Sequence, residues 1–224
     1  MPSVRCPLPP ETRSRWCAVV AALAILAALG SLALRPAPAL AGDGLPGPEA
    51  GDWRVCAAAA RLVDSLRPEL PAHLMGAIAK AETGRRPAGE AARRAWPWTI
   101  NAAGTGHYYP SKAAAIRAVR RYRAKGVESI DVGCMQVNLH YHGDAFDSLD
   151  QAFDPAHNVA YAAEFLLGLK RESGSWIRAV RHYHSRKLSD GAPYRQRVYR
   201  IWRADKQRAR DLAKAQRRRR NGSG

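Results

Sequence analysis

A short apolar stripe that ends in a carboxylate constrains the fold of this chain more than any other feature. Leu74, Ile78 and Glu82 are spaced four residues apart, so they lie on one face of a helix. Pro71 can start that helix and Gly84 can stop it. Glu82 then continues the buried face near the negative end of the helix dipole, where its charged form is disfavoured. This position predicts a raised pKa and a general acid, whereas a solvated Glu in a last turn is the alternative.

Two later segments add further polar side chains. The segment Gly133–Asn138 reads Gly-Cys-Met-Gln-Val-Asn, and its two amide residues, Gln136 and Asn138, project to the same side if the chain is extended. Paired amides suit sugar hydroxyl and acetamido groups. Residues 176–185 predict a helix, one face of which would carry Trp176, Ala179, Val180 and Tyr183.

In this order, the three segments resemble the soluble lytic transglycosylase (SLT) domain family over roughly residues 56–199. The family's Glu-Ser-Gly is here Glu82-Thr83-Gly84, its Gly-Leu-Met-Gln-Ile-Asn is Gly133–Asn138, and its Ala-Tyr-Asn-Ala-Gly is His182–Ser185. Cys134 stands where the family has an apolar residue, and His184 replaces the amide after the tyrosine. The resemblance implies a mainly α (α+β) fold, a lysozyme-like helical domain with a small antiparallel sheet beside the active-site cleft.

The resemblance also implies an activity and the residues that perform it. An exported lytic transglycosylase of this family cleaves the β-1,4 bond between N-acetylmuramic acid and N-acetylglucosamine in peptidoglycan. Glu82 would be its single acid/base, and the product would end in a 1,6-anhydromuramoyl ring. The implied substrate-binding residues are Thr83, Met135 (a pocket wall), Gln136, Asn138 and Tyr183.

Two alternatives to this activity remain open from the sequence. A muramidase would hydrolyse the same bond with water and would need a second carboxylate, for which Asp131 and Asp144 are the candidates. A noncatalytic wall-binding adaptor of a secretion, conjugation or flagellar machine would have no need for Glu82 as an acid.

Turn and cap signals predict the remaining elements. Residues 98–101 and 107–109 predict two strands around a glycine-containing turn, and residues 129–132 predict a third. A helix is expected over residues 111–125, with Ser111 as its cap. Residues 52–66 predict the first helix of the domain.

The N-terminus predicts export. Arg5, Arg13 and Arg15 precede an uncharged run from Cys17 to Leu34, and Ala39-Leu40-Ala41 offers a cleavage site. An uncleaved inner-membrane anchor is the alternative, because about eighteen apolar residues can span a bilayer. The expected organisation is a signal peptide over 1–41, a linker over 42–51, a catalytic domain over 52–203 and a basic tail over 204–224. The mature protein would be periplasmic or secreted.

Cysteine usage agrees with that compartment. After removal of the signal only Cys56 and Cys134 remain, and an even pair in an oxidising compartment favours a disulfide. Two buried free thiols are the alternative.

The chain carries a formal net charge of +17, and removing residues 1–41, with four Arg and one Glu, leaves +14. In an exported chain this charge favours an anionic envelope surface over nucleic acid. The expected partners are peptidoglycan strands, that surface and a secretion or flagellar assembly, with the protein itself a monomer. His140-x-His142, which could place two rings on one side of a strand, and His182-x-His184 raise a metal hypothesis. No H-E-x-x-H motif occurs, and the second pair is predicted on a helix, where residues two apart diverge by about 200°. We expect no metal and no cofactor.

Overall fold

The computed structural model describes residues 52–90 and 92–221, which form a mainly helical unit with two small antiparallel sheets. The helices of these residues are α1 (Asp52–Leu66), α2 (Leu74–Thr83), α3 (Lys112–Ala124), α4 (Leu149–Ala152), α5 (Pro155–Ser173), α6 (Trp176–His184) and α7 (Leu188–Asn221). The strands are β1 (Gly84–Arg85), β2 (Arg94–Ala95), β3 (Thr99–Ala102), β4 (Thr105–Tyr108), β5 (Ile130–Val132) and β6 (Val137–Asn138). The α+β class is confirmed. The predicted signal peptide and linker lie outside the described residues.

Helix α2 has the predicted stripe but starts later than expected. Pro71 lies in a turn, and the helix begins at Leu74 after His73, which has a φ of 69°. At the other end the Gly84 N–H bonds to the Lys80 carbonyl oxygen. A Cβ at Gly84 would lie 2.2 Å from that oxygen, so the exit from α2 requires glycine. Glu82 is therefore held in the last turn before a fixed helix end.

The larger sheet confirms the predicted hairpin and third strand. Its order is β4-β3-β5-β6, with all pairs antiparallel. Ala103 and Gly104 form the tight turn between β3 and β4 with φ values of 51° and 78°, because a two-residue hairpin of this hand needs positive φ at both positions. The predicted cap of the next helix is also confirmed, since the Ser111 hydroxyl accepts a hydrogen bond from the Ala114 N–H.

The core consists of two hydrophobic clusters. The first packs α1, α2, α5, α6 and α7 together, and its fully buried side chains include Ile78, Leu166 and Val198. The second packs the larger sheet against α3. Sheet β1-β2 adjoins α2, since β1 follows it directly and the Trp96 N–H after β2 bonds to Thr83. The end of α2 therefore lies where the helical cluster meets the strands.

The predicted disulfide is confirmed. Cys56 of α1 is bonded to Cys134, which lies in the turn between β5 and β6, with a Cα–Cα distance of 5.7 Å. The bond closes a loop across a sequence separation of 78 residues. It ties the first helix to the turn that precedes Gln136.

Helix α7 runs without a break across the boundary expected at residues 203 and 204. One face of it packs on the body, with Tyr194 and Val198 buried and the Trp202 indole N–H donating to the Ala72 carbonyl at 2.8 Å. Asp205, beyond the expected boundary, pairs with Lys80 at 2.8 Å. Residues 210–221 are all exposed. Among the described residues, no helix combines the length and apolar character that crossing a membrane requires.

Candidate active site

Glu82 is half-buried in the last turn of α2. Loss of solvent around the carboxyl group raises its pKa from 4.5 to about 7, and the negative charge of Asp131 adds to the rise. The Tyr194 hydroxyl and the Arg197 guanidinium oppose it. Burial is the largest of these effects, so the carboxyl group holds a proton near neutral pH and can give it up there.

Two tyrosines, the half-buried Tyr183 and the buried Tyr194, flank this carboxyl group. Tyr183 of α6 donates its hydroxyl hydrogen to the Met135 carbonyl at 2.9 Å. Tyr194 of α7 is stacked on Tyr183 and on His184, with ring centroids 6.4 and 4.6 Å apart respectively. Burial and the charge of Glu82 raise the pKa of both phenols. Both hydroxyls therefore stay protonated. They can form hydrogen bonds with groups around Glu82 only as neutral phenols.

The Tyr194 hydroxyl is the donor available to Glu82. It is buried and has no hydrogen-bond partner of regular geometry among the described residues, and its side chain lowers the pKa of Glu82. The Tyr183 hydroxyl is already used by Met135. Tyr194 is therefore the phenol available to act on Glu82, while Tyr183 fixes the turn that carries Met135.

Asp131 lies on β5 and is the carboxylate whose charge acts on Glu82. Burial raises its own pKa, and the Asn138 amide, which donates to Asp131 Oδ1 at 2.7 Å, opposes that rise. The same amide group also donates to Ser129 at 2.9 Å. Asn138 Oδ1 accepts the backbone N–H groups of His140 and Tyr141. Asn138 thus orients Asp131 and the following turn.

The segment before Asn138 is a turn and not the extended strand that would align both amides. Gln136 has a φ of 50°, and its side-chain amide donates to the carbonyls of Thr99 at 3.2 Å and Gly133 at 3.0 Å. Only Val137 and Asn138 form a strand. Gln136 therefore braces the turn against β3, and the two amides do not share a face through strand geometry.

Thr83 and Met135 are fully buried, which differs from the sugar contacts expected of them. The Thr83 hydroxyl donates to the Ala79 carbonyl at 3.1 Å and accepts the Trp96 N–H at 3.2 Å. Met135 fills the helical cluster. Both side chains support the site from behind, since neither presents a surface to a ligand.

Asp144 and the histidine pairs do not gather into a common site. Asp144 lies in an exposed turn after β6. His140 faces Glu128 at 3.5 Å, whereas His142 bonds to the Tyr161 hydroxyl at 2.9 Å. Over residues 52–90 and 92–221, no three His, Cys, Asp or Glu residues are placed to hold a metal ion together.

Sequence reasoning missed Tyr194 as a site residue and missed Asn158 altogether. Tyr194 shares the spacing of the apolar residues of α7, such as Val198, and nothing in that pattern distinguishes a core tyrosine from a site tyrosine. Asn158 is fully buried, accepts the Met135 N–H at 2.9 Å and donates to the carbonyls of Val132 and Ala152. The signal available for it was Asp154-Pro155, a cap and first-turn pair that starts α5.

The arrangement can supply one carboxyl group that titrates near neutral pH, a neutral phenol beside it and a second carboxylate nearby. Such a set can protonate a leaving-group oxygen and accept a proton afterwards.

Comparison with protein-family models, with curated proteins and with solved structures found no match for this chain.

Proposed function

We propose that this protein is an exported peptidoglycan lytic transglycosylase with a lysozyme-like fold, and that Glu82 is its acid/base. The observation that carries the proposal is the half-buried Glu82, whose pKa is raised to about 7 at the helix end where the family motif carries its acid. The resemblance of Glu82-Thr83-Gly84 and Gly133–Asn138 to the family motifs supports it.

In the proposed reaction, protonated Glu82 gives its proton to the oxygen between N-acetylmuramic acid and N-acetylglucosamine. The glycosidic bond breaks, and the N-acetylglucosamine side leaves as an alcohol. The Glu82 carboxylate then takes the proton of the muramoyl C6 hydroxyl, whose oxygen bonds to C1 and closes the 1,6-anhydro ring. Glu82 ends protonated, and no water enters. Tyr194 would donate to the carboxylate form of Glu82 midway through this cycle.

The first test removes the acid. Glu82→Gln should keep the fold and lower the rate at which purified cell walls are cleared by roughly 10² to 10⁴. Glu128→Gln, the same change at an exposed carboxylate, should leave the rate unchanged. Clearing by the Glu82 variant at the wild-type rate would refute the assignment. A wild-type protein that binds walls and releases no product would support the adaptor instead.

Asp131 supports a second candidate, a muramidase. Its charge raises the pKa of Glu82, so a second carboxylate lies near the acid, as hydrolysis by a carboxylate pair requires. Under this candidate Asp131 would activate a water molecule or stabilise the positive charge at C1. Asp144 is exposed, and its charge is not among the causes that shift the pKa of Glu82, so Asp131 is the carboxylate favoured for this role.

Product analysis separates the two chemistries. A transglycosylase releases muropeptides that end in 1,6-anhydromuramic acid, about 18 Da lighter than hydrolysis products because no water is added. These products lack a reducing end and gain no hydrogen with borohydride. Products that all gain two hydrogens would show that water was the nucleophile, and Asp131→Asn should then abolish activity while Asp144→Asn should not.

A further inference from the structure

A line of cations runs along α7, and we call it the basic stripe. Its members are Arg195, Arg203, Lys206, Arg210, Lys214 and Arg217. With 100° of rotation per residue, all of them fall within an arc of about 100° on the helix surface. The buried residues of α7, Gly191, Tyr194 and Val198, follow a line turned by roughly 120° from the centre of that arc. The basic stripe therefore lies on the side of α7 away from its buried line, with Arg195 and Lys206 half-buried and the other four members exposed.

The carboxylates of α7 do not neutralise this stripe. Residues 203–221 contain nine Lys or Arg and two Asp. Asp205 is used by Lys80 at 2.8 Å and by Arg208 at 2.9 Å, and Asp211 accepts from Gln207 at 3.0 Å. Both carboxylates lie outside the arc of the stripe. Within the stripe, Lys206 Nζ lies 3.7 Å from the centroid of the Trp202 ring. The charge of the exposed members, Arg203, Arg210, Lys214 and Arg217, is left for an external partner.

The distal half of the stripe is unfavourable in isolation. Arg210, Lys214 and Arg217 follow one another at spacings of four and three residues, and like charges at these spacings repel on a helix. Residues 210–221 are exposed along their whole length of about 18 Å, so no packing on the body offsets the repulsion. A surface of opposite charge would turn this repulsion into attraction.

An apolar feature lies at the other end of the stripe. A shallow groove of about 310 Å³ is lined by Ile177, Arg195, Gln196, Tyr199 and Arg203. The Ile177 side chain is 51% exposed at its edge. Arg195 and Arg203 belong to both the groove and the basic stripe, so apolar and cationic groups form one continuous surface. Glu82, Tyr183 and Tyr194 do not line it.

We propose that the basic stripe and this groove dock the protein on a lipid bilayer that contains anionic phospholipids. Six cations spread over about 33 Å of straight helix match a flat anionic surface. Ile177 and Tyr199 would contact the headgroup boundary, where apolar and aromatic side chains are favoured. The distal stripe has no aromatic residue between its cations, which single-strand nucleic-acid binders use for base stacking. This surface is independent of the proposed activity.

Vesicle binding tests the proposal on the chain from Gly42 onward, which keeps both hydrophobic clusters. The probe is vesicles of equal parts phosphatidylglycerol and phosphatidylcholine, with pure phosphatidylcholine vesicles as the background. The triple variant Arg203→Gln, Arg210→Gln, Arg217→Gln should bind the anionic vesicles on the order of 100-fold more weakly. Binding of the unchanged chain should fall as salt rises.

The matched control removes three charges from exposed positions on another helix, as Arg117→Gln, Arg120→Gln, Arg121→Gln. This variant should lose less than about fivefold if the stripe is the docking surface. Ile177→Ser should weaken vesicle binding by about threefold to tenfold. Every variant can carry Glu82→Gln, so that failure here is separate from failure of the proposed activity.

Three results would overturn the proposal. Equal losses in the stripe variant and the control would show nonspecific attraction. Equal binding to both kinds of vesicle would show that the cations are not involved. Stripe-dependent binding to duplex DNA or to purified peptidoglycan, with no binding to anionic vesicles, would assign the surface to that polymer.

Discussion

Glu82 destabilises the folded protein whenever it is charged. Its pKa is about 7 in the folded state and near 4.5 for an unperturbed Glu, so the folded protein binds the proton more tightly than the unfolded chain. The stability that this difference contributes is present in full below about pH 4.5 and is lost as the pH rises through about 7. The site therefore weakens the fold under the conditions in which its carboxylate forms.

We predict that Glu82→Gln stabilises the protein in a pH-dependent way. At pH 8 the variant lacks the buried charge, and its free energy of unfolding should exceed that of the wild type by about 2 kcal/mol. Near pH 4 both side chains are neutral, and the two proteins should unfold alike. Urea denaturation at both pH values measures this, with Glu128→Gln as the exposed control. An equal difference at both pH values would contradict it.

The neighbours of Glu82 should shift the pH profile of activity in opposite directions. Tyr194→Phe removes a group that lowers the pKa of Glu82, so the acid form should persist to higher pH and the alkaline limb of kcat/KM should move up. Asp131→Asn removes a charge that raises this pKa, so the limb should move down. Profiles from acid to alkaline pH on a soluble glycan fragment test both signs. Shifts in the same direction would refute these roles.

At this scale the sequence predicted the acid but not its surroundings. Glu82 was recognisable because one helix period places it on the face of Leu74 and Ile78. Tyr194 and Asp131 come from elements far away along the chain, and no local pattern brings them to Glu82. The assignments of Thr83 and Met135 to sugar contacts came from motif position, which gives no information about burial.

The turn from Gly133 to Gln136 is the element on which the site depends most. The Asn158 side chain accepts a hydrogen bond from the Met135 N–H and donates one to the Val132 carbonyl, while the Tyr183 hydroxyl donates to the Met135 carbonyl. The disulfide at Cys134 fixes it to α1. These four restraints leave the turn and the residue before it little conformational freedom. The positions of Asp131 and Asn138, which flank the turn in sequence, therefore depend on its geometry.

Gly133→Ala should show how tightly this turn is packed. Gly133 has a φ of 78°, and a Cβ there would lie 2.5 Å from the Asn158 side-chain nitrogen, so backbone strain and a steric clash add together. We expect a loss of about 3 kcal/mol in the free energy of unfolding. Gly104→Ala is the matched control, because Gly104 has the same φ of 78° but nothing within 4 Å. It should lose only about 1 kcal/mol, and equal losses in urea denaturation would contradict the clash.

Elements that are determined by residues near them in sequence were predicted, whereas conformations that depend on partners far away in sequence were not. The β3-β4 hairpin and the capped helix α3 follow from a turn and a cap that are visible within a few residues. Gln136 could not be placed in the same way. Its φ of 50° arises from bonds to Thr99 and Gly133, and the first of these partners is remote in sequence.

At the scale of the whole molecule, the two halves of α7 have different roles in the fold. Its first half packs on α2 through Tyr194, Val198 and the Lys80–Asp205 pair, whereas residues 210–221 are exposed. The contacts between α7 and α2 therefore extend past the boundary expected near residue 203. The basic residues that suggested a tail begin before the last described contact of α7 with α2, the Lys80–Asp205 pair.

Two truncations should separate these halves. Of the described residues, a chain that ends at Ala209 loses 210–221, which are all exposed, so its melting temperature should change by less than about 2 °C. A chain that ends at Arg200 loses Trp202 with its bond to Ala72, and also loses Asp205. Its melting temperature should fall by about 5 to 10 °C. Thermal unfolding followed by circular dichroism measures both, and a large fall in the first chain would show that the distal helix stabilises the fold.

The contact between α2 and α7 also sets the order in which the molecule can become complete. Lys80 and Asp205 are 125 residues apart, and Trp202 reaches back 130 residues to Ala72. Because a chain emerges from synthesis with its N-terminus first, Glu82 exists long before Tyr194 can reach it. Every nascent or prematurely terminated chain that extends past Glu82 but stops short of α7 carries the carboxyl group without its neighbouring phenol. Completion of the site thus requires that synthesis has passed Tyr194.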